Sequence, residues 1–445
     1  MTRQIETTPK TTDLPPILRE YPSKLFVETT THCNLGCSMC VKQTGQCAIA
    51  EGMMSATTFK ALEPALLRAE ALILNGVGEP LLHPDIDTFI AQAKKLMPRN
   101  SWIGFQSNGL LIDDLRARSL LEAGLDRICI SVDAVTPEKL EQLREGAEIS
   151  NLDRAFSALS KAKFSVGRPD FQIGVEIVVM RSNLTELPDT LHWAASRGAT
   201  FALVTHVLPY DEKHAEQAVY ESCSGQAIAL FNRWREKAAA AAVDIHRYPR
   251  ILWNYSKNAE EQRVVDFVEQ MKADAEQQQV FLDLKKLFNL DTTGLDRVGE
   301  VFARAEQVAE QEGLELKLPE LVLKEDRRCE FVEDGSAFVS WQGDVHPCYF
   351  LWHSYHCFAG GWRQMVKPKI FGNLNEQRHL LAIWNSAEFR TFRENVTGYD
   401  YPYCSSCGLA PCDYVQTEQF EQDCHINSEP CGSCLWCMGL FQCLR

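Results

Sequence analysis

The chain has 445 residues, 45% of them hydrophobic, and a formal net charge of −15 at pH 7. A length of this order divides into about two or three domains, and the apolar content is ample for packed cores. The acidic balance excludes broad, sequence-independent nucleic-acid binding, which needs a basic face, and no apolar run approaches the roughly 20 residues that span a bilayer, so no membrane partner is expected.

The opening stretch "MTRQIETTPKTTDLPP" lacks the apolar core of a signal peptide, so residues 1–20 are read as a disordered or extended tail and the protein as cytoplasmic. From residue 21 to about 210, short apolar runs alternate with amphipathic stretches. The predicted strands are "LFVETT" (25–30), "ALILNG" (71–76), "SWIGFQSN" (101–108), "RICISVD" (127–133), "FQIGVEIVVM" (171–180) and "FALVTHV" (201–207). Strands separated by helices predict right-handed βαβ units on a parallel sheet. Six units predict an α/β fold of the partial (β/α)6, TIM-like barrel kind, with ligands bound at the C-terminal ends of the strands. Residues 211–325 are charged, Gln/Ala-rich and helical in period, and are read as a helical insertion or bridge. Residues 326–445 form a cysteine-rich, loop-rich domain, in which "SAFVSWQGDVHPCYF" predicts a hairpin that delivers Cys348.

Seventeen cysteines are too many for a cytosolic chain that keeps no disulfides, and they cluster: four lie in residues 33–47 and eight in residues 404–443. Clustered thiols in that compartment point to metal. "THCNLGCSMC" (31–40) sets Cys33, Cys37 and Cys40 on one loop after the first strand. Such a loop wraps one small object. A cubane iron–sulfur cluster with one open corner fits three thiols; a zinc site would borrow a fourth ligand, with Cys47 and His32 as candidates.

Cys33-x3-Cys37-x2-Cys40 behind a first strand resembles the defining motif of the radical S-adenosylmethionine (SAM) superfamily. "NGVGEP" (75–80), "QSNGLL" (106–111) and "SVDA" (131–134) resemble, in order, that family's motifs after the second, third and fourth strands. Val77 and Ala134 replace glycines of the commonest forms. The resemblance implies that Cys33, Cys37 and Cys40 hold a [4Fe–4S] cluster whose open corner binds SAM. One electron then cleaves SAM to a 5′-deoxyadenosyl radical. It also implies that Gly76, Gly78 and Glu79 lie near the methionine amine, and Asn108, Ser131, Asp133, Arg144 and Asn183 elsewhere along SAM. Strand alternation puts Cys129 on the face of Ser131 and Asp133, where a thiol could donate a hydrogen atom or simply pack as a small hydrophobe. His206 and Tyr210, near the end of the sixth strand, are candidates to touch substrate.

In the C-terminal region Cys329 and Cys348 come first, then Cys404, Cys407, Cys412 and Cys424, and last Cys431, Cys434, Cys437 and Cys443. Paired C-x2-C units also have the form of a zinc ribbon. Residues 326–443 resemble a SPASM domain, which implies two auxiliary [4Fe–4S] clusters. Gln416 stands where that pattern has a cysteine, so the sharing of thiols is open beyond two expectations. Cys404, Cys407 and Cys412 take one later cysteine; Cys329 and Cys348 take others from the terminal loop. Cys47, Cys223 and Cys357 are left over as structural. The tail resembles a branch of metalloenzyme maturases that includes those of tungsten-dependent oxidoreductases. The implied function is modification of a protein or peptide, with a low-potential donor such as ferredoxin or flavodoxin. A small-molecule dehydrogenase and a non-catalytic zinc-binding interaction protein are the alternatives.

Overall fold

The computed structural model describes residues 14–44, 49–376 and 379–444. Its centre is a nine-stranded sheet. In chain order the strands are β1 (Lys24–Val27), β2 (Ala71–Ile73), β3 (Trp102–Ser107), β4 (Arg127–Ser131), β5 (Gln172–Val179), β6 (Phe201–His206), β7 (Glu315–Lys317), β8 (Ser336–Val339) and β9 (Val345–His346). β1 to β6 are neighbours in that order and all parallel. All six predicted strands are present. Helices such as Ile86–Leu96, Asp114–Ala123, Ile149–Ser165 and Leu187–Ala195 return the chain between them, as parallel pairing requires.

Alternation along each strand separates two faces. Outward residues such as Leu72, Phe105, Ile130, Val175 and Val204 join Phe89, Leu120, Leu159 and Leu191 of the helices in one apolar core. The opposite, inner face carries Phe26, Ile73, Cys129, Leu203 and Phe338 in a second cluster, which Leu444 completes. Burying that much apolar surface is the main stabilising term of the fold.

The sheet runs across the expected domain boundaries. β7, from the expected helical bridge, pairs parallel with β6. β8 pairs parallel with β1, Lys24 opposite Ser336 through Val27 opposite Val339. β8 and β9 form the predicted hairpin. The bridge itself divides. Gly225–Ala240 and Ala259–Gln277 pack around Phe231, Trp234, Val268 and Met271 in a core of their own. Thr292–Glu312 instead lies in the helical layer of the sheet through Val301, Phe302 and Ala305. The expected tail is ordered from its later part: Pro16–Leu18 is a turn of 3-10 helix, and the Arg19 carbonyl accepts from Trp384 Nε1 at 2.9 Å. Residues 1–13 of that tail, and Cys47, lie outside the described residues. Among the described residues no helix is long and apolar enough to cross a membrane.

Candidate active site

The three-cysteine loop is clamped from both sides. At its base, Thr31 N donates to the Gly52 carbonyl at 3.0 Å, Thr31 Oγ1 to Ala50 O at 3.0 Å, and Lys42 Nζ to Thr31 O at 2.7 Å. At its far side Gly36 and Cys37 pair antiparallel with Glu145 and Arg144. Cys40 N closes onto Cys37 O at 3.0 Å. Cys33 is exposed, Cys37 and Cys40 half-buried. Burial pushes the Cys37 thiol up and Cys40 to about 11, and the three sulfurs are electrostatic neighbours. Thiols so placed ionise when a metal centre displaces their protons. His32 turns instead toward Glu51, 3.5 Å away.

The loop approaches the end of β2 so closely that only glycine fits there. A Cβ on Gly78 would lie 2.4 Å from the Thr30 carbonyl oxygen and 2.5 Å from that of His32. This closeness lets Glu79 N donate to His32 O at 2.8 Å. A Cβ on Gly76 would meet the Glu28 side chain at 2.3 Å. The Glu79 carboxylate is turned inward, where it accepts from Ser107 Oγ (2.9 Å), Asn108 N (2.8 Å) and Leu81 N (3.1 Å). It brackets β2 to β3. Asn108 donates to Asn34 Oδ1 at 2.7 Å and so ties β3 to the cysteine loop.

Behind the loop, Arg144 Nε binds Asp133 Oδ2 at 2.7 Å while Nη1 reaches Cys37 Sγ at 3.8 Å. Asp133 Oδ1 accepts from Val178 N at 2.8 Å. Asn183 was expected along SAM, but both its donors are taken: Nδ2 donates to Asp133 O (2.8 Å) and Val178 O (2.9 Å), and Oδ1 accepts from Met180 N (2.8 Å). Its geometry is that of a bracket under Asp133. Ser131 stands in register with Glu176 of β5. Burial raises the Glu176 carboxyl to about 7, against the pull of Arg144 and with the push of Asp133.

Glu176 faces a cavity of about 240 Å³. One wall is the inner face of the sheet: Asn75, Gln106, Glu176, Val178 and Thr205. The other comes from the C-terminal domain: Tyr349, Trp352, Trp436, Phe441 and Cys443. Asn75 and Gln106 are hydrogen-bonded to each other twice. The sequence reading missed Glu176, although a carboxylate at the centre of the apolar run "FQIGVEIVVM" was a signal for it. His206 also lines the cavity, but its ring turns away from the inner face. Its ring lies against Tyr220 and Phe302, and Nε2 donates to the Glu320 carbonyl at 2.8 Å, so it faces the helical layer. Burial lowers it to about 4 and leaves it neutral. Tyr210 lines the cavity too. Cys129 has no exposed surface and packs within the apolar inner-face cluster.

The C-terminal thiols fall into two groups. Cys404 has Cys424, Cys407 and Cys412 as electrostatic neighbours, and burial pushes it to about 12. Asp423 accepts from His425 N and Asn427 N, making the turn that presents Cys424 to this group. The second group is Cys329, Cys348, Cys431, Cys434 and Cys437, each a neighbour of Cys431 or Cys434. Arg327 runs between the groups, donating to Tyr401 O at 2.7 Å, stacking over Tyr403 at 3.5 Å and lowering Cys437 against the push of burial. Cys443 lies at the edge of the second group, an electrostatic neighbour of Cys348, and also lines the cavity wall, its sulfur accepting from Trp436 Nε1 at 3.4 Å. Among the described residues no three His, Cys, Asp or Glu side chains are gathered tightly enough to hold a single metal ion. The donor sets are nonetheless all soft, mostly buried thiols, which suit iron–sulfur ligation.

Residues 27–194 match the sequence profile of the Radical SAM superfamily, and residues 329–408 that of SPASM, an iron-sulfur cluster-binding domain. The chain is 27% identical over 424 residues to the tungsten-containing aldehyde ferredoxin oxidoreductase cofactor-modifying protein of Pyrococcus furiosus, covering 94% of this chain and 96% of that relative. A GTP 3′,8-cyclase of Aquifex aeolicus is 28% identical over 188 residues, 41% of this chain and 56% of the relative. The PqqA peptide cyclase of Gluconobacter oxydans is 26% identical over 189 residues, 42% of this chain and 50% of the relative. The crystal structure of Streptococcus suis SuiB superposes with a TM-score of 0.51 over 92% of this chain and 78% of that one, at 12% identity, a likeness of fold. The chain belongs to the radical SAM superfamily and is an enzyme that uses SAM and iron–sulfur chemistry, with a SPASM-like domain at its C-terminal side.

Proposed function

We propose that this enzyme is a maturase that modifies a protein or peptide, in the manner suited to completing a metalloenzyme. The observation that carries this reading is the colinear match to the Pyrococcus furiosus cofactor-modifying protein along nearly the whole of both chains. The shared cavity supports it, because the C-terminal domain supplies one wall of the chamber whose other wall is the sheet. We read β1 to β6 as a partial (β/α)6 barrel on the strength of their unbroken parallel order.

In this reading Cys33, Cys37 and Cys40 hold the cluster that chelates SAM. When bound, that pair supplies hydrogen-abstracting chemistry on one-electron reduction. The chain's own residues orient and shield it. Gly76 and Gly78 permit close backbone approach, Glu79 and Asn108 fix the rim, and Asp133 and Asn183 hold Arg144 against Cys37. Arg144 keeps guanidinium donors beyond the Asp133 pair for a carboxylate. Cys404, Cys407, Cys412 and Cys424 hold one auxiliary cluster, and thiols drawn from Cys329, Cys348, Cys431, Cys434 and Cys437 hold the second. A low-potential ferredoxin or flavodoxin in the cytoplasm supplies the electrons.

The test is anaerobic co-production with a candidate client polypeptide, followed by its intact mass. A mass change that requires Cys33, Cys37 and Cys40 supports the reading. Conversion of a small alcohol or sugar, with no change in any polypeptide, would transfer the assignment to a small-molecule dehydrogenase.

A further inference from the structure

The reaction chamber is acidic at one point and aromatic around it. Among the residues that line it, Glu176 is the one Asp, Glu, Lys or Arg, and burial leaves His206 neutral. The polar side chains beside Glu176 are already engaged. Asn75 and Gln106 bind each other, and Gln106 also donates to Glu176. Thr205 Oγ1 accepts from Gln442 N at 3.1 Å. The Glu176 carboxylate therefore keeps acceptor capacity with no cation of its own, because Arg144, the cation whose field it feels, is bonded to Asp133 at 2.7 Å. A second carboxylate has the same excess. Glu28, just past β1, is fully buried against Gly76 of the chamber rim. Its Oε1 accepts from Val77 N at 3.1 Å and lies 3.1 Å from His353 Nε2, while Oε2 is buried with no partner. Carboxylate oxygens kept from water without donors are costly, so floor and rim both favour a ligand that brings donors and positive charge.

The opposite wall suits the same ligand. Trp352 stands edge-on to Tyr349 at 5.1 Å, and Trp436 lies against Phe441 at 4.6 Å; aromatic faces attract a cation, most strongly out of water. Toward the cysteine loop, Met39, Val178 and Val207 form an apolar stretch that a methylene stem can follow. At about 240 Å³ the chamber falls below the roughly 300 to 1,000 Å³ of sites that take a whole small molecule, and is of a size for one extended side chain. Resting on the maturase reading, we propose that the chamber recognises a cation, the ammonium or guanidinium of a basic side chain of the client, with Glu176 as its counter-ion and the aromatic wall as its cage.

The experiment uses the full chain, reconstituted anaerobically and supplied with SAM, and three probes of one length: n-butylammonium, 1-butanol and butyrate. Binding is read by equilibrium dialysis at physiological ionic strength. n-Butylammonium is expected to saturate at one per chain and to bind about tenfold or more tightly than 1-butanol, with butyrate weakest. Glu176→Gln is expected to bring n-butylammonium to the level of the alcohol and to leave the alcohol unchanged. An acidic chain attracts cations over its whole surface, so saturation at one site and its loss in Glu176→Gln are both required. Equal binding of the ammonium and the alcohol, a preference for butyrate, or an ammonium preference that survives in Glu176→Gln overturns the proposal. The maturase reading fails separately, in the mass experiment. A client modified at a neutral or acidic residue keeps that reading and overturns the cation site. A free alkylamine converted with no polypeptide changed keeps the cation site and removes the maturase reading.

Discussion

Glu176 should write its own signature into the stability of the chain. Its carboxyl titrates at about 7 in the fold against an ordinary 4.5, chiefly because burial disfavours its charged form. Between these values the unfolded chain has lost the proton and the folded chain has kept it. Stability therefore falls as pH rises from about 4.5 to 7 and levels off above, the reverse of the behaviour of a salt-bridged carboxylate. At 1.36 kcal/mol per pKa unit the difference amounts to about 3 kcal/mol. Glu176→Gln removes the titration while keeping a group that Gln106 can bond. The variant should match wild type at pH 4 and exceed it by about 3 kcal/mol at pH 8, as read from paired denaturant unfolding curves under reducing, anaerobic conditions. Taking the difference between two chains cancels every other titrating group. Curves that stay parallel across this range would refute the reasoning. They would mean that Arg144 offsets the burial of the carboxylate in full.

Three further outcomes are expected. Replacing Cys33, Cys37 and Cys40 together with alanine should remove about four irons per chain and abolish 5′-deoxyadenosine formation, measured by iron analysis and chromatography. Replacing Cys404 and Cys407 with alanine should also remove about four irons, yet leave uncoupled SAM cleavage measurable while stopping substrate conversion; conversion at the wild-type rate would make that group dispensable. Gly78→Ala forces a methyl group onto two backbone carbonyls. It should cost about 2 kcal/mol in the unfolding assay and lower the iron retained on the cysteine loop; wild-type stability and iron content would count against the tight rim.

The order of the six central strands was legible because each is a short apolar run between amphipathic helices, and parallel neighbours follow from the helical returns. The places of the flanking strands were not. Glu315–Lys317 is too short to carry a period, and Ser336–Val339, legible as one arm of a hairpin, pairs in the sheet with a strand far away in sequence. The direction of His206 was hidden for another reason. "FALVTHV" is apolar on both faces, as a buried parallel strand is, so alternation gives no phase. At the candidate site the close-set cysteines could be grouped by spacing alone. Cys424 could not, because its approach to Cys404 depends on the Asp423 turn rather than on a short repeat. Cys443 reads as one more member of the terminal series; that it also lines the cavity depends on the turn at Gly439 and the burial of Leu444. Asn183 was singled out for a ligand, but its amide is consumed by backbone.

The pairing of Ser336–Val339 with Lys24–Val27 has a consequence for how the molecule assembles and what it can be cut into. A strand made at the start of synthesis waits for about three hundred residues before its second neighbour exists. Contacts of such long sequence separation slow folding and leave an unpaired edge exposed in the meantime. A fragment ended at residue 325 would keep that edge open for good and should self-associate. In the intact chain the same ladder makes the cysteine-rich part an extension of the sheet rather than a hinged attachment. Opening of the chamber to a substrate is then a matter of loops moving over a fixed floor.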